Sequence, residues 1–134
     1  MKIALCVDKT GGLLFGGRRL SQDCVLREKL IEIVSDGNLL MNTYSGKLFE
    51  ENEKIITTED FMQIANDNDV CFIENTAISI DKVTDVYLFN WNRDYPADTY
   101  FEFDLKELGF KRIKKEDFAG SSHKKITLGI YKRG

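Results

Sequence analysis

The sequence predicts an α/β fold in three layers: a mostly parallel central sheet with helices on both faces and a C-terminal antiparallel hairpin. Three observations predict it. Lys2–Val7 is apolar through its middle, as in a strand covered on both faces. Strand-like and helix-like segments then alternate, which demands crossover connections and hence parallel pairing. Last, Gly109–Lys114 and Lys125–Arg133 read as a closing antiparallel pair.

After the first strand, Asp8–Leu20 reads as a loop holding the pairs Gly11-Gly12 and Gly16-Gly17. Ser21 is the expected N-cap of the next helix, with Asp23 in its first turn. Val25, Leu26, Leu30, Ile33 and Val34 share one face of that helix, and Gly37 closes it. Asn38–Met41 is a short buried strand. Residues 43–50 suit a short helix and Lys54–Thr57 a strand. Thr57 or Thr58 is expected to cap a helix through about Ala65. Val70–Ile73 is another buried strand, expected to lie parallel beside Lys2–Val7 and Asn38–Met41, and Asp85–Trp91 follows as a further strand after a short helical or looped piece. Ligands of such sheets bind at the carboxyl ends of the strands, so the loops after Val7, Met41 and Ile73 are where a site is expected.

The length, 134 residues, is that of one domain spanning residues 1–134, with enough chain to bury a core. Apolar residues make up 43% and charged residues 31%, and with a single proline there is no linker-like stretch. No apolar run approaches the roughly 20 residues of a membrane helix, and the first apolar stretch ends at Asp8, too early for a signal peptide. Cys6, Cys24 and Cys71 are far apart and His123 is the only histidine, so no metal site is expected; the cysteines read as reduced thiols in a cytoplasmic protein's interior. The net charge is −3. Residues 105–134 carry nine bases against three acids. Those bases alternate with apolar residues, as in strands with one solvated face, and no stacking-aromatic motif accompanies them, which argues against a nucleic-acid partner.

Ile3-Ala4-Leu5-Cys6-Val7-Asp8-Lys9, followed by Gly12 and Gly17, resembles the opening strand and mobile loop of the dihydrofolate reductase family. Leu39-Leu40-Met41 stands where that family has its second strand. Val86-Tyr87-Leu88 with Asp98-Thr99-Tyr100-Phe101 is similar to its late strand and Gly-Asp-Thr-x-Phe segment, and Glu116-Asp117-Phe118 with Lys125–Arg133 fits its closing hairpin. The order and spacing of these pieces carry the resemblance over nearly the whole chain. The chain is shorter than the family pattern between Met41 and Val70, by about one strand and a loop.

The resemblance implies NADPH binding and reduction of a pterin, but the positions that serve them are altered. Leu26 occupies the place of the substrate-binding carboxylate, and a leucine can neither hydrogen-bond a pterin nor assist its protonation. Asp23, one turn earlier on nearly the same face, substitutes for it if the register slips, as Glu74 does in a rearranged site, and a carboxylate at Asp23 also suits the helix dipole. Ser21 and Leu20 replace the family's tryptophan and proline, and Phe89 the threonine that partners the acid. Asn42, Thr43, Tyr44 and Ser45 stand for Gly, Arg, a variable residue and Thr, so the arginine for a nucleotide phosphate is absent and only the Ser45 hydroxyl is kept. Glu74-Asn75-Thr76 follows the Val70–Ile73 strand where paired glycines let the backbone approach the pyrophosphate, and a carboxylate there is expected to repel it. Gly12, Gly17, Arg18 and Arg19 remain as candidates for meeting an anion. Trp91 and Tyr95 are expected to pack at the sheet edge, and His123 to lie in an exposed hairpin loop.

These readings predict a noncatalytic relative that binds or regulates, its partner a protein or a small molecule, with no cofactor expected. The alternative is a divergent NADPH-dependent reductase acting on a pterin or another small molecule through a rearranged site.

Overall fold

The computed structural model describes all 134 residues. Its main sheet has seven strands in the order β5 (Ile55–Thr57), β4 (Leu39–Met41), β6 (Val70–Phe72), β1 (Lys2–Val7), β7 (Asp85–Asn90), β10 (Ile126–Arg133) and β9 (Phe110–Phe118). The first five are parallel. β10 runs antiparallel to both β7 and β9. The expected neighbours β4, β6 and β1 are therefore adjacent, and the closing hairpin lies at one side.

Both faces of the parallel strands are covered, and the side-chain alternation shows how. Ala4, Leu39, Met41, Val70 and Phe72 face Leu26, Leu30 and Val34 of helix α1 (Cys24–Glu32) and the segment that follows it. Ile3, Leu5, Val7, Leu40 and Cys71 face the opposite way, onto Phe61 of the short helix α3 (Phe61–Ile64), Val83 and Leu105. Successive strand residues thus serve two different cores, which is why these strands read as unbroken apolar runs. α2 (Thr43–Gly46) follows β4 directly. No helix is long and apolar enough to cross a membrane.

Four local expectations are corrected. The Asp8–Leu20 segment is not a simple loop: β2 (Gly12–Phe15) and β3 (Arg18–Arg19) form a hairpin, joined to β8 (Thr99–Tyr100) in a separate three-stranded sheet. Its turn is Gly16-Gly17, with φ of 58° and 75°, the left-handed pair that a two-residue hairpin needs. Asp23, not Ser21, is the N-cap of α1. The helix expected through Ala65 is one turn, Phe61–Ile64, and it begins after Asp60. β9 runs on to Phe118, well past Lys114. β5 lies within the stretch that is short relative to the family pattern.

Candidate functional site

The carboxyl ends of β1, β4 and β6 converge, and there the chain meets itself. Glu74, two residues past β6, is bound by Arg19 of β3: the guanidinium donates from Nε to Oε2 at 2.9 Å and from Nη2 to Oε1 at 3.0 Å. The Ser45 hydroxyl donates to the same Oε1 at 2.8 Å. Arg19 also lies over the Tyr44 ring, 4.2 Å from its centroid, and its backbone N–H donates to the Tyr44 hydroxyl. Burial disfavours the charge on Arg19, but the hydrogen bond and charge of Glu74 outweigh it and hold the guanidinium above its usual value. Glu74 is therefore not an unpaired repelling carboxylate, as the sequence suggested; Arg19 neutralises it.

The cavity at this point is lined by Cys6, Leu13, Arg19, Ser21, Glu74 and Trp91 among others, and its free volume is about 10 Å³. That is space for about one water. The Cys6 thiol beside it is pushed well up by burial and by the Glu74 charge, against the pull of Arg19. It stays protonated near neutral pH and is no nucleophile.

A second carboxylate fills the start of α2. Glu59 Oε2 accepts from the Thr43 backbone N–H at 2.8 Å and from the Thr43 hydroxyl at 3.0 Å. Asn42 caps the same turn by accepting from the Ser45 N–H, and its amide reaches over to Asn75 and Thr76.

On the other side of the cavity lies a buried polar cluster that the sequence did not reveal. Asp23 accepts from the backbone N–H groups of Val25, Leu26, Ser121 and Ser122, from the Ser122 hydroxyl, and from His123 Nδ1 at 3.2 Å. Burial pushes its carboxyl up, but the donors from Ser121, Ser122 and His123 prevail and hold it far below the usual carboxylate range. His123 is not exposed; it is buried, stacks on Trp91 with centroids 4.5 Å apart, and its Nε2 meets the Tyr95 hydroxyl at 2.8 Å and Ser21 Oγ at 3.3 Å. Trp91 and Tyr95 thus form the wall of this cluster, not plain edge packing. Gly120 sits directly against the Asp23 carboxylate, where a Cβ would collide.

The structure brings Arg19 and Ser45 together at Glu74, and places Asp23 with every acceptor site engaged and its side chain at 0% exposure. Leu26 is buried in the core against the sheet. Gly12 lies at the start of β2, where a Cβ would press on Ala97 and Asp8. Gly17 is in the hairpin turn, open to solvent, and Arg18 is exposed beside it. Phe89 is fully buried, edge-on to Phe118. Cys24 is exposed, against expectation, while Cys71 is buried. No group of three or more His, Cys, Asp or Glu side chains is arranged to hold a metal ion.

No family model matches this sequence, and no curated protein does. Among solved structures, the chain is similar to a dihydrofolate reductase from Enterococcus faecalis complexed with NADP(H) and RAB-propyl. The TM-score is 0.70 over 99% of this chain and 95% of that one, at 14% identity. The chain therefore has the dihydrofolate reductase-like fold.

Proposed function

We propose that this protein is a noncatalytic binding or regulatory member of the dihydrofolate reductase-like fold. The observation that carries the proposal is that carboxylates of the chain itself stand at both places where the resemblance puts cofactor phosphate. Glu74 takes up Arg19 and Ser45 after β6, and Glu59 takes up the Thr43 donors at the start of α2. An entering pyrophosphate has to displace bonds already made, with no arginine at Thr43 to offset the loss. Chemistry is disfavoured as well, because Leu26 offers no acid and the Asp23 carboxylate is saturated by donors and shut from the cleft.

NADPH titration of the purified protein by calorimetry, with dihydrofolate turnover alongside, tests the reading. A typical micromolar cofactor site weakened by two lost charge-assisted contacts binds at about millimolar or beyond. Micromolar NADPH binding at the β6 cleft with measurable turnover would instead establish the divergent reductase.

A further inference from the structure

A basic pocket lies outside the β6 cleft. It opens between three loops, after β1, after β7 and before β10, and has a volume of about 410 Å³. Its lining is Lys9, Trp91, Asn92, Arg93, Lys124 and Lys125: four cations and no carboxylate. In a chain of net charge −3, that local excess is not a consequence of overall composition.

The four cations are exposed and none takes part in an ion pair. Two of the nearby acids are committed elsewhere, and the third, exposed Asp94 beside Arg93, lies outside the lining. Asp8 accepts from Thr10, Gly12 and the Tyr95 N–H. Asp117, whose carboxyl is lowered first by the Thr127 hydroxyl and further by Lys125 and Lys115, is bound to Thr127 and lies outside the lining.

The backbone beneath the cations is fixed. The Lys9 N–H donates to the Arg93 carbonyl at 3.0 Å. Asn92, at a φ of 58°, donates from its amide to the Lys125 carbonyl at 3.1 Å and to Thr127 Oγ1 at 2.9 Å. Three loops distant in sequence therefore present their cations around one space, at the carboxyl end of β1 and β7, where sheets of this kind take ligands.

From this geometry we infer a binding site for a phosphoanion carrying two or more phosphate groups. One carboxylate or one phosphate does not need four cations around a space of this size. Three lysines supply point charges and Arg93 a bidentate fork, the set that suits clustered phosphate oxygens. The site is separate from the β6 cleft and shares only Trp91 with it.

The test is calorimetry with inorganic tripolyphosphate, read in parallel through the emission of Trp91, the only tryptophan. The expected result is one saturable site that weakens as salt rises. Lys124→Glu with Lys125→Glu should raise its Kd by about a hundredfold, two decades for two charge-assisted contacts. Lys111→Glu with Lys115→Glu, the same charge change on exposed β9, should leave it nearly unchanged. Should the first pair prove unstable by thermal unfolding, Lys9→Glu with Arg93→Glu serves the same purpose. Absence of saturable binding, or equal weakening by the pocket and β9 pairs, overturns the site. ATP and a ten-nucleotide single strand distinguish the source: binding of ATP as tight as tripolyphosphate assigns a free nucleotide, and tighter binding of the strand assigns a nucleic-acid backbone. NADPH binding abolished by the Lys124/Lys125 pair belongs to this pocket, and NADPH binding that survives it belongs to the β6 cleft.

Discussion

Arg19 and Glu74 are 55 residues apart in sequence and meet through two hydrogen bonds, at 2.9 and 3.0 Å, across the mouth of the cleft. Their side chains are 23% and 10% exposed. A pair this far from solvent is costly to break from one side, because the partner left behind keeps its charge without compensation. The contact also ties the β2–β3 hairpin to the loop after β6, so the geometry of the cleft depends on it.

Glu74→Ala should therefore do two things at once. It should lower stability by about 1–3 kcal/mol, less than for a fully buried pair because Arg19 retains some access to water. It should also free Arg19 and Ser45 for an external anion and strengthen NADPH binding by about tenfold or more. Chemical denaturation and calorimetry on the same variant read the two effects. A variant that loses stability with no gain in NADPH affinity would show that Glu74 does not stand in an anion's place.

Leu26→Asp places a carboxylate at the position the resemblance assigns to the substrate acid. Leu26 is 3% exposed and packs with Leu30 and Val34 against the sheet. Burying a charge there, together with the lost apolar contact, should cost about 3–5 kcal/mol. Urea unfolding should show the loss, and dihydrofolate reduction should remain undetectable. A stable variant that binds folate would place residue 26 in the cleft instead of the core.

The parts of the fold legible in the sequence were those with a local signature. Lys2–Val7, Leu39–Met41 and Val70–Ile73 are short apolar runs between polar segments, and the crossovers between them leave only parallel pairing. The expected end of β9 at Lys114 falls short, because Lys115-Glu116-Asp117 is a charged run on a mostly exposed edge strand, with no apolar alternation to mark it. Its Lys111, Lys114 and Lys115, with Ile113 bulged out opposite the Ile130–Tyr131 step, guard an open edge. The Gly16-Gly17 pair is itself a hairpin signal, but the two residues of β3, Arg18–Arg19, are too few to show a strand pattern after it. The site was less legible. His123 sits in Gly-Ser-Ser-His-Lys-Lys, a polar run that reads as solvent-exposed, and its burial comes from Asp23, 100 residues away. Arg19 and Glu74 were each recognisable as charges, but nothing local says that one neutralises the other.

Asp23 should make the protein acid-sensitive. Its carboxyl is held far below the ordinary value of about 3.9 that it regains on unfolding. The unfolded chain then takes up a proton first, so the stability Asp23 contributes is present above about pH 4 and is lost as pH falls towards its folded value. Asp8 is shifted the same way: burial raises it, but the Tyr95, Gly12 and Thr10 donors lower it further. Asp23→Asn should cost about 2–4 kcal/mol at pH 7, since an amide confronts the Ser121 and Ser122 N–H groups with one acceptor fewer. Between pH 7 and pH 3 the variant should lose less further stability than the unmodified protein. Identical losses in both would remove Asp23 as a source of the acid response.

Rebuilding the family's cofactor positions separates loss of binding from loss of chemistry. Glu74→Gly takes away the carboxylate after β6 and restores the close backbone approach that a pyrophosphate needs. Thr43→Arg supplies the missing cation at the start of α2 and gives Glu59 a competing charge to satisfy, so part of its effect is spent on that contact. Each change corresponds to a charge-assisted interaction of about 1.5–3 kcal/mol, and the sites are distinct enough for approximate additivity. NADPH affinity should rise by about two to four decades in the double variant, from near millimolar to between about ten and a tenth micromolar. Reduction of dihydrofolate should still be absent, because Leu26 remains in the core and Asp23 remains sealed by the 120–123 loop. Turnover appearing with the restored cofactor would mean that the proton comes from a group outside these two residues, and the noncatalytic reading would give way to a reductase disabled only in its cofactor site.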